Sequence, residues 1–170
     1  MRNITLRKSL YCQLVATIFA LIIVVSFSSN SHAEEIKPII VDALDKGDTT
    51  LAVSLLNQEI SIDPSFNKNY FMLGLIYYTQ NDFSKAMEQF AIAFDKKSKD
   101  YESLYYIGMS QLALGEIDAA EKTFKKGIKK DKKEKHRFED GLGLVLMEKE
   151  DYIEASKLFR KAIVGEKKAE

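Results

Sequence analysis

Residues 70–93 read YFMLGLIYYTQNDFSKAMEQFAIA, and this stretch decides the fold. The apolar face of its first half consists of Tyr70, Leu73, Gly74 and Tyr77. These positions follow the spacing i, i+3, i+4, i+7, which places them on one face of an α-helix. A short polar turn follows, and the second half places Ala86, Phe90 and Ala93 on another helical face. The stretch therefore predicts two antiparallel helices, in which small residues allow close approach and the phenylalanine fills the remaining space.

The same pattern returns along the chain with a period of 34 or 35 residues. The recurring landmarks are Gly74, Gly108 and Gly143, then Ala86, Ala120 and Ala155, and finally Phe90, Phe124 and Phe159. A single helical hairpin cannot bury its own apolar surface, so neighbouring hairpins have to stack. The period therefore predicts an all-α solenoid.

The repeated pattern resembles the tetratricopeptide repeat family, whose motif places Leu-Gly and Tyr in a first helix and Ala, Phe and Ala in a second. A degenerate earlier copy closes with Asp63-Pro64, and no copy carries the tryptophan of the family. The resemblance implies a right-handed superhelix of about four repeats. Their expected bounds are about 33–66, 67–100, 101–135 and 136–169, within a repeat domain over 34–170.

The first 33 residues differ in composition from the rest of the chain. Their only charged residues are cationic and precede an apolar run over 14–27, and small residues follow at Ser31 and Ala33. This order is typical of a secretory signal peptide. We expect cleavage after Ala33 and export to the bacterial periplasm.

An uncleaved anchor is the alternative that the leader leaves open. Residues 10–27 approach the roughly 20 apolar residues that a membrane-spanning helix needs. The repeats would then be held at the inner membrane, facing the periplasm. Cys12 precedes the apolar run, whereas a lipidated cysteine would follow it, so a lipoprotein is disfavoured.

The composition argues against an enzyme and against a nucleic-acid partner. The chain has 25 basic and 25 acidic residues, two histidines and one cysteine, which leaves little material for a metal or Cys–His site. It has no Gly-x-Ser-x-Gly element and no glycine-rich phosphate loop. We expect no cofactor and no metal. The basic run over 125–137 is interpreted as a solvated surface, with His136 in an exposed loop and the pair Glu139-Asp140 exposed as well.

The first helix of each repeat carries a second apolar stripe, which suggests a binding site. In the family, the second, fifth, ninth and twelfth residues of each repeat face the concave groove, and the resemblance assigns the same role here. The predicted groove residues are Phe71, Leu75, Tyr78, Tyr105, Met109, Leu112, Leu144 and Met147. Tyrosine and methionine suit adaptable apolar contacts. The alternative is that the leucines pack between repeats instead.

These features together predict a protein-binding scaffold of the cell envelope. Its partner would be an amphipathic helix or an extended peptide with apolar anchors, belonging to an envelope or secretion complex. The family's carboxylate clamp needs lysine at the fifth position and asparagine at the ninth, but the first repeat has Lys37 and Val41. Self-association through the last helix, which carries Leu158 and Ile163, is a further expectation.

Overall fold

The computed structural model describes residues 36–166, and within this range the chain forms eight helices and no strand. The helices are α1 (Pro38–Asp45), α2 (Thr49–Ile62), α3 (Asn67–Thr79), α4 (Phe83–Lys96), α5 (Tyr101–Ala113), α6 (Ile117–Lys130), α7 (Lys135–Glu148) and α8 (Tyr152–Glu166). Each helix packs mainly on the one before it and the one after it. The prediction of an all-α solenoid of helical hairpins is confirmed.

Each hairpin turns at the same repeat position, through one residue in the left-handed region. These residues are Gly47, Asn81, Gly115 and Glu150, with φ between 61° and 76°. Glycine adopts such a φ without the steric cost that other residues incur. The next residue directly precedes the second helix, and in three of the four hairpins it is an aspartate whose side chain accepts a backbone N–H of the first turn.

The glycine–phenylalanine pairs predicted from the sequence lie at the centre of the hairpins. A Cβ atom added at Gly74 would lie 2.6 Å from the Phe90 ring, and the equivalent distance from Gly108 to the Phe124 ring is also 2.6 Å. Such distances are well inside van der Waals contact, so the phenylalanine ring occupies the space that a larger residue would need. The predicted packing inside the hairpins is confirmed.

Glycine also allows the hairpins to stack on one another, a role that the repeat motif did not predict. A Cβ atom at Gly141 in α7 would lie 2.5 Å from the Phe124 ring of α6. A Cβ atom at Gly127 in α6 would lie 2.1 Å from the ring of Phe138 in α7. Phe124 and Phe138 are both buried in one core cluster, which joins the third and fourth hairpins.

Two predictions about polar residues were wrong. His136 lies in the first turn of α7 and is half-buried against Gly165 of α8, because the last helix folds back over it. Glu139 is only 1% exposed, since it occupies the repeat position that holds Tyr70 and Leu104 in earlier hairpins. Its carboxylate lies 2.7 Å from Nζ of Lys161.

The other polar predictions agree with the structure or lie outside it. The lysines at 125, 126, 129, 130, 132 and 133 are exposed, as expected for a solvated surface, and Asp140 is exposed too. The proposed leader at 1–33 lies outside the described residues. No helix within residues 36–166 has both the length and the apolar character needed to cross a membrane.

Candidate functional site

The predicted groove residues belong to the first helix of the second, third and fourth hairpins, which are α3, α5 and α7. Seven of the eight are half-buried, and Met147 is exposed. The half-buried set is Phe71, Leu75, Tyr78, Tyr105, Met109, Leu112 and Leu144. Each of these side chains is therefore held by the protein on one side while part of its surface remains open to solvent.

Aromatic rings join the groove side chains of α3 and α5. Tyr106 lies between them: its ring stacks on Phe90 with centroids 5.1 Å apart. It also meets Phe71 at 5.8 Å and Tyr78 at 5.5 Å, both edge to face. Aromatic pairs in these geometries stabilise one another beyond their simple area of burial. Phe71 and Tyr78 are therefore fixed in place by the next hairpin.

Tyr106 was not among the groove residues predicted from the sequence. It follows the predicted groove residue Tyr105 directly, and its repeat position is that of Gly141, which faces the preceding hairpin. That alignment was the available signal, because a residue at this position contacts the phenylalanine of the hairpin before it.

Tyr105 is the most strongly held of the groove residues. Its ring lies 6.1 Å from the Phe124 ring and 6.0 Å from the Phe138 ring, and the guanidinium of Arg137 lies 4.8 Å above it. Burial raises the pKa of the Tyr105 hydroxyl, and the negative charge of Asp140 adds to the increase. Burial also raises the pKa of Tyr78. Both phenols are therefore neutral and available as hydrogen-bond donors at neutral pH.

Part of the stripe also packs between helices, as the alternative interpretation proposed. Tyr105, Met109 and Leu112 contact the core cluster that includes Leu104 and Phe124. Of the leucines that the alternative named, Leu112 is among these three; each of the three packs one edge into the core and leaves the other edge facing solvent.

Two hollows lie beside the groove, at the beginning of the first helices. The first, about 350 Å³, has an apolar floor that includes Phe71 and Met72. The second, about 450 Å³, has Tyr105 and Phe138 in its floor. They share Lys99, Asp100 and Glu102. The hollows thus lie at the second and fifth repeat positions, where the family resemblance placed the groove.

Charged side chains form the rim of both hollows. Lys68, Lys97 and Lys99 line the first, and Arg137 lines the second, 3.9 Å from Glu102. Asp100 is held in place, since its carboxylate accepts hydrogen bonds from Asn67 of α3 and from Ser103 of α5. An apolar floor with a charged rim can bind a side chain of a peptide and fix its orientation.

Within residues 36–166, no three His, Cys, Asp or Glu side chains are grouped so that they could hold a metal ion. His136 lies 3.6 Å from Glu134, which lines the second hollow. The arrangement provides contact surface and shape.

The left-handed turn, the Gly–Phe pairs and the stacked hairpins define a solenoid of tetratricopeptide-like repeats. A family model described as anaphase-promoting complex, cyclosome, subunit 3 matches residues 45–127. Comparison with curated proteins gives no match.

Solved structures with the same fold include two of MamA and one of PilF. A crystal structure of MamA has a TM-score of 0.66 at 25% identity, covering 74% of this chain and 73% of that chain. MamA from Desulfovibrio magneticus RS-1 gives 0.66 at 16% identity, covering 76% and 72%. PilF of Pseudomonas aeruginosa gives 0.65 at 22% identity, covering 75% and 58%. These likenesses establish the fold.

Proposed function

We propose that this protein is a non-enzymatic interaction module whose concave groove binds an apolar peptide or amphipathic helix of another protein. One observation carries the proposal: a row of half-buried apolar side chains runs along α3, α5 and α7 beside two hollows. Repeat solenoids use such concave surfaces for binding.

The rigidity of the groove favours binding. Phe71 is held by Phe90 and Tyr106, and Tyr105 is held by Phe124 and Phe138. Side chains that are already fixed lose little conformational entropy when a ligand arrives. Met147, which is exposed at the far end of the row, adds an adaptable contact.

The charged rim of the hollows adds a preference for the charge of the peptide residues that flank the apolar anchor. The first hollow has three lysines and two acids, Asp100 and Glu102, beside its apolar floor, which leaves an excess of one positive charge. A peptide with an apolar anchor next to an acidic side chain would match this arrangement, whereas a peptide with a basic flank would be repelled.

The proposed setting is the bacterial envelope. The leader-like composition of residues 1–33 supports export to the periplasm, where the module would assist assembly of an envelope or secretion complex. The alternative is an adaptor held at the inner membrane by an uncleaved leader.

Selection of peptides from a random displayed library tests the groove, because such a selection requires no identified partner. We expect a consensus with two apolar or aromatic anchors and an acidic flank. Replacing Met147 by Glu should weaken the binding of the selected peptide by about tenfold, which corresponds to about 1.4 kcal/mol of binding free energy. Tyr105→Ala should weaken it further.

A matched control separates loss of binding from loss of folding. Ile62 is exposed and lies on α2, outside the groove, so Ile62→Glu should bind as the unmodified protein does. Circular dichroism should show unchanged helix content for Met147→Glu. A consensus without apolar anchors, or full affinity in both groove variants, would refute the proposed groove.

A further inference from the structure

The last helix, α8, exposes an unusually apolar surface. Ile153 is 74% exposed, and Ile163 and Val164 are 53% and 55% exposed. Ile153 and Val164 are eleven residues apart, which places them within about 20° of each other around the helix. Ile163 lies about 80° around the helix from Ile153. We call Ile153, Phe159, Ile163 and Val164 the C-terminal end surface.

Part of this surface occupies the repeat positions of an inter-repeat contact, and no following hairpin covers it among residues 36–166. Phe159 is half-buried, whereas Phe90 and Phe124 at the same repeat position are fully buried because the following hairpin covers them. Ile163 occupies the position of Phe94 and Ile128, which are half-buried. Among the described residues, nothing covers the end surface.

The rest of the surface cannot be explained by a missing neighbour alone. Ile153 occupies the repeat position of Thr50, Ser84 and Asp118, which are all polar and exposed. Val164 occupies the position of Ser61, Asp95 and Lys129, which are also polar and exposed. The last helix therefore has apolar residues where every earlier hairpin has polar ones. Exposed apolar side chains grouped in this way are typical of an interface.

The opposite end of the repeat domain, at α1, exposes the face that a preceding hairpin covers in later repeats. Ile39 in α1 is 56% exposed, although Leu73 at the same repeat position is 3% exposed and Leu142 is 8% exposed. Those two leucines are buried because the preceding hairpin covers them. Pro38 and Asp42 beside Ile39 are also exposed. We call these three residues the N-terminal end surface.

The charges at the two ends differ in sign. The exposed bases of α8 are Lys157, Arg160 and Lys161, of which Lys161 pairs with Glu139 of α7, and Glu154 is the opposing charge among the described side chains of α8. The first hairpin carries the exposed acids Asp42, Asp45 and Asp48; Lys46 is the opposing exposed charge, and Lys37, just before Pro38, pairs with Glu59. Two identical ends would repel each other, whereas opposite ends attract.

We propose that copies of this chain associate head to tail, with the C-terminal end surface of one copy covering the N-terminal end surface of the next. The contact repeats the stacking of successive hairpins inside one chain: Phe159 and Ile163 take the roles of Phe124 and Ile128, and Ile39 takes the role of Leu142. Such an interface is heterologous, so each copy keeps one free end and the association continues into rows.

Light scattering after size-exclusion chromatography tests the proposal. The full chain is expressed, and mass spectrometry first fixes the mass of the monomer. We expect the solution mass to increase with protein concentration. Ile163→Glu and Ile39→Glu should each be monomeric, since each loses one end. Ile62→Glu, with a similarly exposed isoleucine outside both surfaces, should associate as the unmodified protein does.

Mixing the two end variants gives the decisive measurement. The Ile39→Glu chain keeps an intact C-terminal end surface and the Ile163→Glu chain an intact N-terminal one, so their mixture should form a one-to-one heterodimer and nothing larger. The double variant Ile153→Thr, Val164→Ser restores the residue types of the first hairpin and should weaken association by about tenfold or more, as expected from the loss of buried apolar area.

Two outcomes would overturn the proposal. One is an unmodified protein that stays monomeric at every concentration. The other is an Ile39→Glu variant that still dimerises by itself, since this would mean that two identical C-terminal ends meet. Should Ile163→Glu lose helix content, the Thr and Ser double variant replaces it in every comparison, because both new residues already occur at these repeat positions.

Discussion

Replacing Gly127 by alanine should destabilise the protein, although alanine is the better helix former. Gly127 lies in α6, and an added Cβ atom would lie 2.1, 2.2 and 2.5 Å from three carbons of the Phe138 ring. Ordinary carbon–carbon contact requires about 3.5–4.0 Å. The ring or the helix would therefore have to move by more than about 1 Å.

The free-energy change follows from two opposing effects. Alanine in place of glycine inside a helix stabilises by about 0.8–1 kcal/mol. Overpacking of a close-packed core costs about 1–3 kcal/mol, and occasionally more. Phe138 is 1% exposed and fully enclosed, so its ring cannot turn outward and the upper part of that range applies. We expect a net loss of about 2 kcal/mol in the free energy of unfolding.

Urea denaturation followed by circular dichroism measures this loss. The double variant Gly127→Ala, Phe138→Leu makes room for the new methyl group, so a double-mutant cycle should show a favourable coupling of about 1 kcal/mol or more. Phe138→Leu alone provides the reference for the smaller side chain.

A stabilised Gly127→Ala variant would refute this reasoning. A gain of about 1 kcal/mol would mean that helix propensity alone acts at this position. The third and fourth hairpins would then be packed more loosely than the Cβ distances indicate.

Three further predictions concern charges and processing. Lys161→Met should cost about 2 kcal/mol in urea denaturation because it leaves the buried carboxylate of Glu139 poorly paired, whereas Glu139→Leu combined with Lys161→Met should restore most of the stability. Hydrogen bonds from two lysine ammonium groups lower the pKa of Glu121 from 4.5 to about 2. The contribution of Glu121 to stability is therefore complete above about pH 4.5 and is lost as the pH falls toward about 2. Glu121→Gln should remove this loss of stability between about pH 4.5 and about pH 2. The intact mass of the exported protein should lack residues 1–33, and a full-length mass would favour the anchored alternative.

The fold could be predicted because its determinants recur. Gly74, Gly108 and Gly143 each meet the phenylalanine sixteen residues later, and three copies of one local rule are visible in a single sequence. The stacking contacts were harder to predict. Glycine does not recur at the positions of Gly127 and Gly141: the other hairpins have Glu59, Ala93 and Ala162 at the first position and Pro38, Met72 and Tyr106 at the second.

Two predictions of exposure were wrong because they followed residue type and charge instead of the repeat position. Glu139 was expected to be exposed because it is charged, but the repeat position places it in the interior, where Lys161 from α8 pairs with it. His136 was expected in a loop because it lies in a charged run, but α7 begins at Lys135. Lys161 and Gly165, which cover these two residues, lie in the last helix more than twenty residues away, whereas Lys135, 3.8 Å from the Glu139 carboxylate, is a local partner at i−4.

The groove and the end surfaces use different residues, so one copy can bind a peptide and associate at the same time. The ninth positions of the four repeats are Val41, Leu75, Met109 and Leu144, and head-to-tail association would continue this apolar row from one copy into the next. A short peptide should then bind an end-blocked Ile163→Glu monomer as tightly as it binds the assembly. A partner with several anchors should bind the assembly much more tightly, because its later anchors bind at high effective concentration. Equal affinity of such a partner for both forms would show that the groove acts within one copy only.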